Sequence, residues 1–533
     1  MHGCGEELLP RQQFLIRKEI NVNRRKFLKS GAIGAMATPK LLAGTSSTDL
    51  SSIISPDEDA AARSSRNSWL SQYTAEDHRR RLKNIAAVEA SVRGSNRKHL
   101  ITDYLPGQCT YNLGEYPAKK PWAIGEWDAR ELDRLKAEGI GLIQLHEEWN
   151  DSQRLFGADK YSPLNPKGFR QFLDWAHQRG MKVIVYLSSG FMERRDPDFR
   201  PEWARDQDLV ELFYHYALCS PASPSWRAYI SKQFQKVLEE YGVDGIYNDL
   251  GYAPLAGNSH PVTKDEVPAF PESATQDGAL GDLLALLYEE VHRRGGIVKV
   301  HYGATDRPQT DLKIYDYLWV GEGVESSDSL RTAVKNYSPY IVPCLDMSRA
   351  KIASEDELYL QSIPYMQFPL LLAGKPFTGK RGLVEGIHYV PEADDFWTHH
   401  CHEIWNYYQQ HPNGPYSYGW WDSVPGRPEA RTVHAKWLRQ YAPMVEPGTW
   451  AWIEIKETSF VRGPLPAGVV ASVFANREIH LVLANYGANP VTIETTQGFA
   501  AADDPQAQAE KTRWELGARS LLILKRNAPS GIS

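Results

Sequence analysis

Three acidic residues stand directly after short β-branched runs of this sequence. Asp249 follows Gly245-Ile-Tyr-Asn, Glu322 lies between Gly321 and Gly323, and Asp346 follows Ile341-Val-Pro-Cys-Leu. Two opposed carboxyl groups can cleave a glycosidic bond: one protonates the leaving oxygen while the other attacks carbon or activates water. Their surroundings must differ so that one keeps its proton near neutral pH. Asp249 and Glu322 are the pair that position favours. A glutamate between two glycines is a costly backbone choice and points to a constrained loop. Asp244, just before Gly245, reads as a turn or cap residue.

Other groups crowd the same ends of the β runs. His146-Glu147-Glu148-Trp149 follows the second, Asn248 precedes Asp249, and His301-Tyr302 closes the fifth. Glu325 and Arg349 lie just beyond Glu322 and Asp346. The chain is rich in aromatics, with 16 Trp and 27 Tyr. A sugar ring offers C–H faces to aromatic faces, and its hydroxyls need a few fixed polar partners. Trp149, Tyr186, Tyr247, Tyr252, Tyr302 and Trp319 fall where such faces would be useful. The expected substrate-binding set is therefore His146, Glu147, Trp149, Tyr186, Tyr247, Asn248, His301, Tyr302, Trp319, Glu325, Asp346 and Arg349.

The elements that must position these groups alternate. Expected strands are Gln108–Leu113, Gly141–His146, Lys182–Leu187, Gly245–Asp249, Ile297–Tyr302, Tyr317–Val320, Tyr340–Asp346 and Tyr365–Leu372. Helices are expected at Glu126–Glu138, Pro166–Arg179, Ser225–Tyr241 and Gly281–Arg294, each ending in or beside glycine, as helix C-termini commonly do. Eight strands with helical crossovers predict an α/β chain forming a (β/α)8 TIM barrel, with chemistry on the loops after the strands. A doubly wound sheet would carry a Gly-rich phosphate loop after its first strand, and none occurs here. After residue 445 short strands succeed one another without helices, which predicts a C-terminal all-β sandwich. The expected organisation is a signal over 1–44, a spacer and N-terminal helix over 45–95, the catalytic barrel over 96–445, and the β-sandwich over 446–533.

Val243-Asp244-Gly245-Ile246-Tyr247-Asn248-Asp249 resembles the fourth-strand motif of retaining α-glycosidase barrels, including the α-amylase and α-galactosidase groups. The resemblance implies that Asp249 is the nucleophile. It also implies that the acid/base follows strand six, where this chain has Glu322 in place of the usual Asp in the α-galactosidase-like clan. Asp346 would match the transition-state-stabilising carboxylate of α-amylases. Tyr247 departs from the α-amylase pattern, which has Arg there. The activity so implied is that of an exported glycoside hydrolase acting on α-linked sugars, without a cofactor or metal. Asn248-Asp249 also resembles the Asn-Glu pair of β-glycosidase barrels, which would make Asp249 the acid and Asp346 the nucleophile. Two other classes stay open: a non-catalytic carbohydrate-binding barrel, and a metal-dependent hydrolase or isomerase using His146, Glu148, His301 and Asp346.

Asn23-Arg24-Arg25-Lys26-Phe27-Leu28-Lys29, with a short apolar stretch after it, resembles a twin-arginine export signal. The expected partners are the twin-arginine export machinery and an oligosaccharide or glycoside substrate, and the expected location is periplasmic or secreted. The apolar stretch is shorter than the about 20 residues that span a bilayer, so no membrane insertion is expected. Residues 1–44 hold eight Lys and Arg against three acids, a net of +5, which leaves −11 for the rest out of a total of −6. That balance argues against nucleic acid as a partner. Cys109, Cys219, Cys344 and Cys401 are widely spaced with no CxxC pair, unlike a metal cluster.

Overall fold

A computed structural model describes residues 68–116, 118–211, 215–252, 276–302, 310–320, 326–337, 340–343, 351–352, 354–375, 384–387, 389, 406, 410, 416–417, 428–503 and 510–527. Its described residues divide into two units, one holding those within 105–362 and 367–438, the other those within 68–104, 363–366 and 439–527.

The first unit is a (β/α)8 barrel. Its strands are β1 (Gln108–Asn112), β2 (Leu142–Leu145), β3 (Lys182–Ser188), β4 (Gly245–Tyr252), β5 (Ile297–Tyr302), β6 (Tyr317–Val320), β7 (Ile341–Pro343) and β8 (Leu371–Gly374). Each pairs in parallel with the next from β1 to β7, and β8 pairs with β1. The seam between β7 and β8 is bridged where Phe368 N–H donates to Ile341 O at 3.3 Å. The strands read as continuous apolar runs because helices cover them outside and side chains fill them inside; β2, β6 and β7 are buried at every residue.

The crossovers are α1 (Glu126–Ala137), α2 (Pro166–Gln178), α3 (Pro224–Tyr241), α4 (Gln276–His292), α5 (Ser327–Val334) and α6 (Asp356–Ser362). Proline at the first turn of α2 and α3 sits where a backbone N–H would have no partner. Asn165 accepts the Gly168 N–H at 3.0 Å and Ser223 the Trp226 N–H at 3.5 Å. Gly242 ends α3 with φ of 69°, a left-handed turn that glycine makes without strain. Four helices match the sequence expectation to within a few residues. The eighth strand does not: residues 363–365 form a 3-10 turn, and the strand begins at Leu371. Pro369 lies inside the expected strand and explains the shift, since proline cannot donate to a ladder.

Between β3 and α3 the chain makes an antiparallel excursion, Phe191–Glu193, Ala204–Glu211 and His215–Cys219. This three-stranded sheet was not foreseen from sequence.

The second unit is antiparallel. Val92–Leu100 pairs with Trp450–Thr458, and beyond it lie in order Val469–Ala475, Glu478–Asn485, Ser520–Asn527, Val491–Ala501 and Lys511–Leu516. Its apolar core includes Trp452, Val473, Leu481, Leu483, Phe499 and Trp514, with Val88 of the helix Ala75–Ser91 packed among them. The polar segment Val92–Leu100 thus belongs to this sheet. Among the described residues no helix is long and apolar enough to cross a membrane.

Gly245 fixes how closely β4 can lie beside β5. A Cβ there would overlap the backbone O and N of Ile297. Gly245→Ala should destabilise the protein by about 1–3 kcal/mol, read as a lowered denaturant midpoint with an unchanged slope.

Candidate active site

Barrel strands alternate inward and outward residues, and several polar side chains on or just after these strands are buried, among them Gln108, Gln144, His146 and Lys299. Lys299 of β5 is fully buried and donates to Gln108 Oε1 at 2.8 Å. Burial pulls its pKa down to about 7. One layer up, His146 Nε2 lies 3.3 Å from Gln144 Nε2. Burial lowers the His146 pKa to about 3, the neighbouring Asp249 charge only partly opposing it, so this imidazole is neutral. Its ring meets Tyr247 and Trp319 edge-on, each 5.5 Å away.

Asp249 stands at the carboxyl end of β4. From Asn248 to Tyr252 that strand takes four steps while β5 takes two, Val300 to Tyr302. Such a bulge re-aims side chains at a barrel rim. It brings His301 Nδ1 to 2.5 Å from Asp249 Oδ1, with the two side chains 13% and 22% exposed. Tyr247 Oη lies 3.0 Å from the same nitrogen, and its ring stacks on the His301 ring at 6.1 Å. The Tyr186 hydroxyl also hydrogen-bonds Asp249, which, after burial and the nearby Glu147 charge, helps to hold the phenol pKa well above its ordinary value.

A second carboxyl, Glu147, sits on the 3-10 turn just after β2. Tyr216 donates to its Oε1 at 3.4 Å, and the Tyr116 phenol lies close enough to favour its charged form. Burial pushes the Glu147 pKa up to about 7, with Asp249 adding to the rise and Lys160 and the two phenols opposing it. Lys160 is itself buried and donates to Phe191 O at 2.9 Å, its Nζ 4.1 Å from the Phe191 ring centroid. Burial lowers its pKa, against the attraction of Glu147. The loop carrying Lys160 is tied down by Asp151, which accepts the N–H groups of Leu155, Phe156 and Ala158.

The structure brings together His146, Glu147, Tyr186, Tyr247, Asp249, His301 and Trp319. Asn248 turns to Ser189 instead, accepting its N–H at 2.9 Å and donating to its Oγ at 2.8 Å. Trp149 is fully buried, donates to Tyr186 O at 2.7 Å and packs on Phe169 and Tyr241. Tyr302 ends β5 beside Tyr252 in register. Glu322, Glu325, Asp346 and Arg349 lie outside the described residues. Sequence reasoning missed Lys160, Tyr116 and Tyr216: none stands directly after a barrel strand. Tyr116 and Lys160 come from loops, and Tyr216 from the β excursion. Of the four residues of the metal alternative, Asp346 lies outside the described residues. Glu148 accepts the Leu113 N–H at 3.3 Å, and among the described residues no group of three or more His, Cys, Asp and Glu side chains could hold a metal ion.

No family model and no curated protein matches the sequence. Solved structures that align with it include a noncanonic maltogenic α-amylase, AmyB, from Thermotoga neapolitana, at 14% identity and a TM-score of 0.44 over 79% of this chain and 99% of that one. The trehalulose synthase MutB from Pseudomonas mesoacidophila aligns at 11% identity and 0.45, over 79% and 98%. A GH36 α-galactosidase, AgaA, from Geobacillus stearothermophilus aligns at 12% and 0.47, over 81% and 56%.

Proposed function

We propose that this protein is a glycoside hydrolase that cleaves α-linked sugars with retention, Asp249 attacking the anomeric carbon. The observation that carries the reading is the Asp249 carboxylate at the end of β4, gripped by His301 Nδ1 at 2.5 Å and by Tyr186. A nucleophile must be held in one rotamer and kept ionised, and hydrogen bonds to the charged form do both. The fourth-strand motif Val243–Asp249 supports the same role through its resemblance to retaining α-glycosidases. Retention also needs a second carboxyl about 5–5.5 Å away to protonate the leaving oxygen, a task for which the sequence nominates Glu322. Export through the twin-arginine machinery to the periplasm or beyond completes the reading, on the motif Arg24-Arg25-Lys26-Phe27-Leu28.

A panel of aryl α- and β-glycosides and natural oligosaccharides should reveal turnover by the wild-type protein. On the best substrate, Asp249→Asn should cut kcat by roughly three to five powers of ten. Full activity in that variant would remove Asp249 from the chemistry, and turnover confined to β-glycosides would overturn the linkage. Export has its own check. Replacing Arg24 and Arg25 together by lysine should hold the protein in the cytoplasmic fraction, and unchanged appearance in the periplasmic fraction would refute the signal.

A further inference from the structure

Resting on the glycosidase reading above, we propose that Glu147, on the turn after β2, is the group that gives its proton to the glycosidic oxygen opposite Asp249. Register places it there. Leu145 pairs with Val185 and Val185 with Ile246, so these three residues share one level of the barrel. Glu147 lies two residues beyond that level, on the turn that follows β2, and Asp249 three beyond it on β4. The two carboxyls therefore stand at the same rim within one residue step of each other in height, with Tyr186 of the intervening β3 near both. Tyr186 feels both charges and bonds to Asp249. The next residue along, Glu148, is turned away to the backbone of Leu113.

The environments of the two carboxyls differ in the direction that the chemistry requires. Asp249 receives a ring N–H and a phenol. Glu147 receives the Tyr216 phenol at 3.4 Å, at a site desolvated enough to keep its proton near neutrality, and it remains partly open to solvent. Groups whose surroundings drive their pKa values apart divide into acid and nucleophile.

In the first step the Glu147 proton moves to the glycosidic oxygen, and the C1–O bond breaks with its electron pair going to that oxygen. An Asp249 oxygen meanwhile bonds to C1. Asp249 is then an uncharged ester, and its repulsion of a negative Glu147 disappears. The ionised Glu147, with Lys160 close by, next takes a proton from water as the hydroxyl adds to C1. The C1–Oδ bond breaks with its electrons returning to Asp249, and both carboxyls regain their starting states.

Leaving-group dependence tests the assignment. Phenyl glycosides need protonation of the departing oxygen, whereas 2,4-dinitrophenyl glycosides do not. With the sugar identified by the panel, Glu147→Gln should lower kcat/KM for the phenyl glycoside about 10²–10⁴-fold. It should change the dinitrophenyl glycoside by less than about tenfold, and that retained turnover shows the variant is folded. Azide should restore turnover and yield a glycosyl azide. Wild type is expected to lose activity on the alkaline side of about pH 7, and that limb should vanish from the phenyl-glycoside profile of the variant. Equal losses on both substrates would overturn the proposal, as would this leaving-group pattern appearing in Glu322→Gln and not in Glu147→Gln. An active Asp249→Asn variant would instead refute the glycosidase reading beneath it, so the two failures are told apart.

Discussion

The 2.5 Å contact between His301 Nδ1 and Asp249 Oδ1 makes demands on much of the barrel. It requires β4 and β5 to run side by side, which only glycine at 245 allows, because any side chain there would meet the backbone of Ile297. The bulge after Asn248 lies directly beside that contact, four steps of β4 there matching two of β5. The bulge is pinned from the other side by the paired hydrogen bonds of Asn248 to Ser189. The imidazole is fixed in turn by stacking on Tyr247 and by contact with Trp319. Each irregularity of β4 thus serves one carboxylate.

The rim also stores an electrostatic cost. Glu147 is raised from 4.5 to about 7, so between those values the folded chain keeps a proton that the unfolded chain would release. Its contribution to stability therefore declines as pH rises across that window. His146 is lowered from 6.5 to about 3. The unfolded chain binds a proton below pH 6.5 that the folded chain refuses, so this group costs stability as pH falls from 6.5 toward 3. The two groups penalise opposite directions, and a rim built for folding alone would bury neither. Lys299 at about 7 in the layer beneath belongs to the same pattern of polar groups held out of water.

The barrel was legible in the sequence wherever one rule acted alone. The helices Glu126–Ala137, Pro166–Gln178 and Pro224–Tyr241 carry their own start and stop signals, and the buried strands are short β-branched runs. Asp249 and His301 could be found because they stand directly at the ends of such runs. Val92–Leu100 could not, because its sequence, VRGSNRKHL, is polar and gains its strand character from pairing with Trp450–Thr458. The Glu147 environment was equally invisible. Glu147 itself stands beside a strand end, but Lys160, Tyr116 and Tyr216 reach it from separate segments of the chain. The shift of its pKa is a property of that convergence rather than of any local motif.

The aromatic surplus has a use that sequence alone did not suggest. Tyr186, Tyr247 and Trp319 do stand at the rim, yet they are 4%, 2% and 2% exposed, and Trp149 is fully covered. Surfaces so enclosed offer little flat area for a sugar to stack on. What they do is exclude water around the ionisable groups, and electrostatic interactions are much stronger without that water. Burial is the leading cause of the shifts at His146, Glu147, Lys160 and Tyr186 alike. A rim walled by smaller, wetter residues would bring Glu147 back toward 4.5. The packed rings thus hold water away from His146, Glu147 and Lys160, and the shifts of these groups follow from that burial.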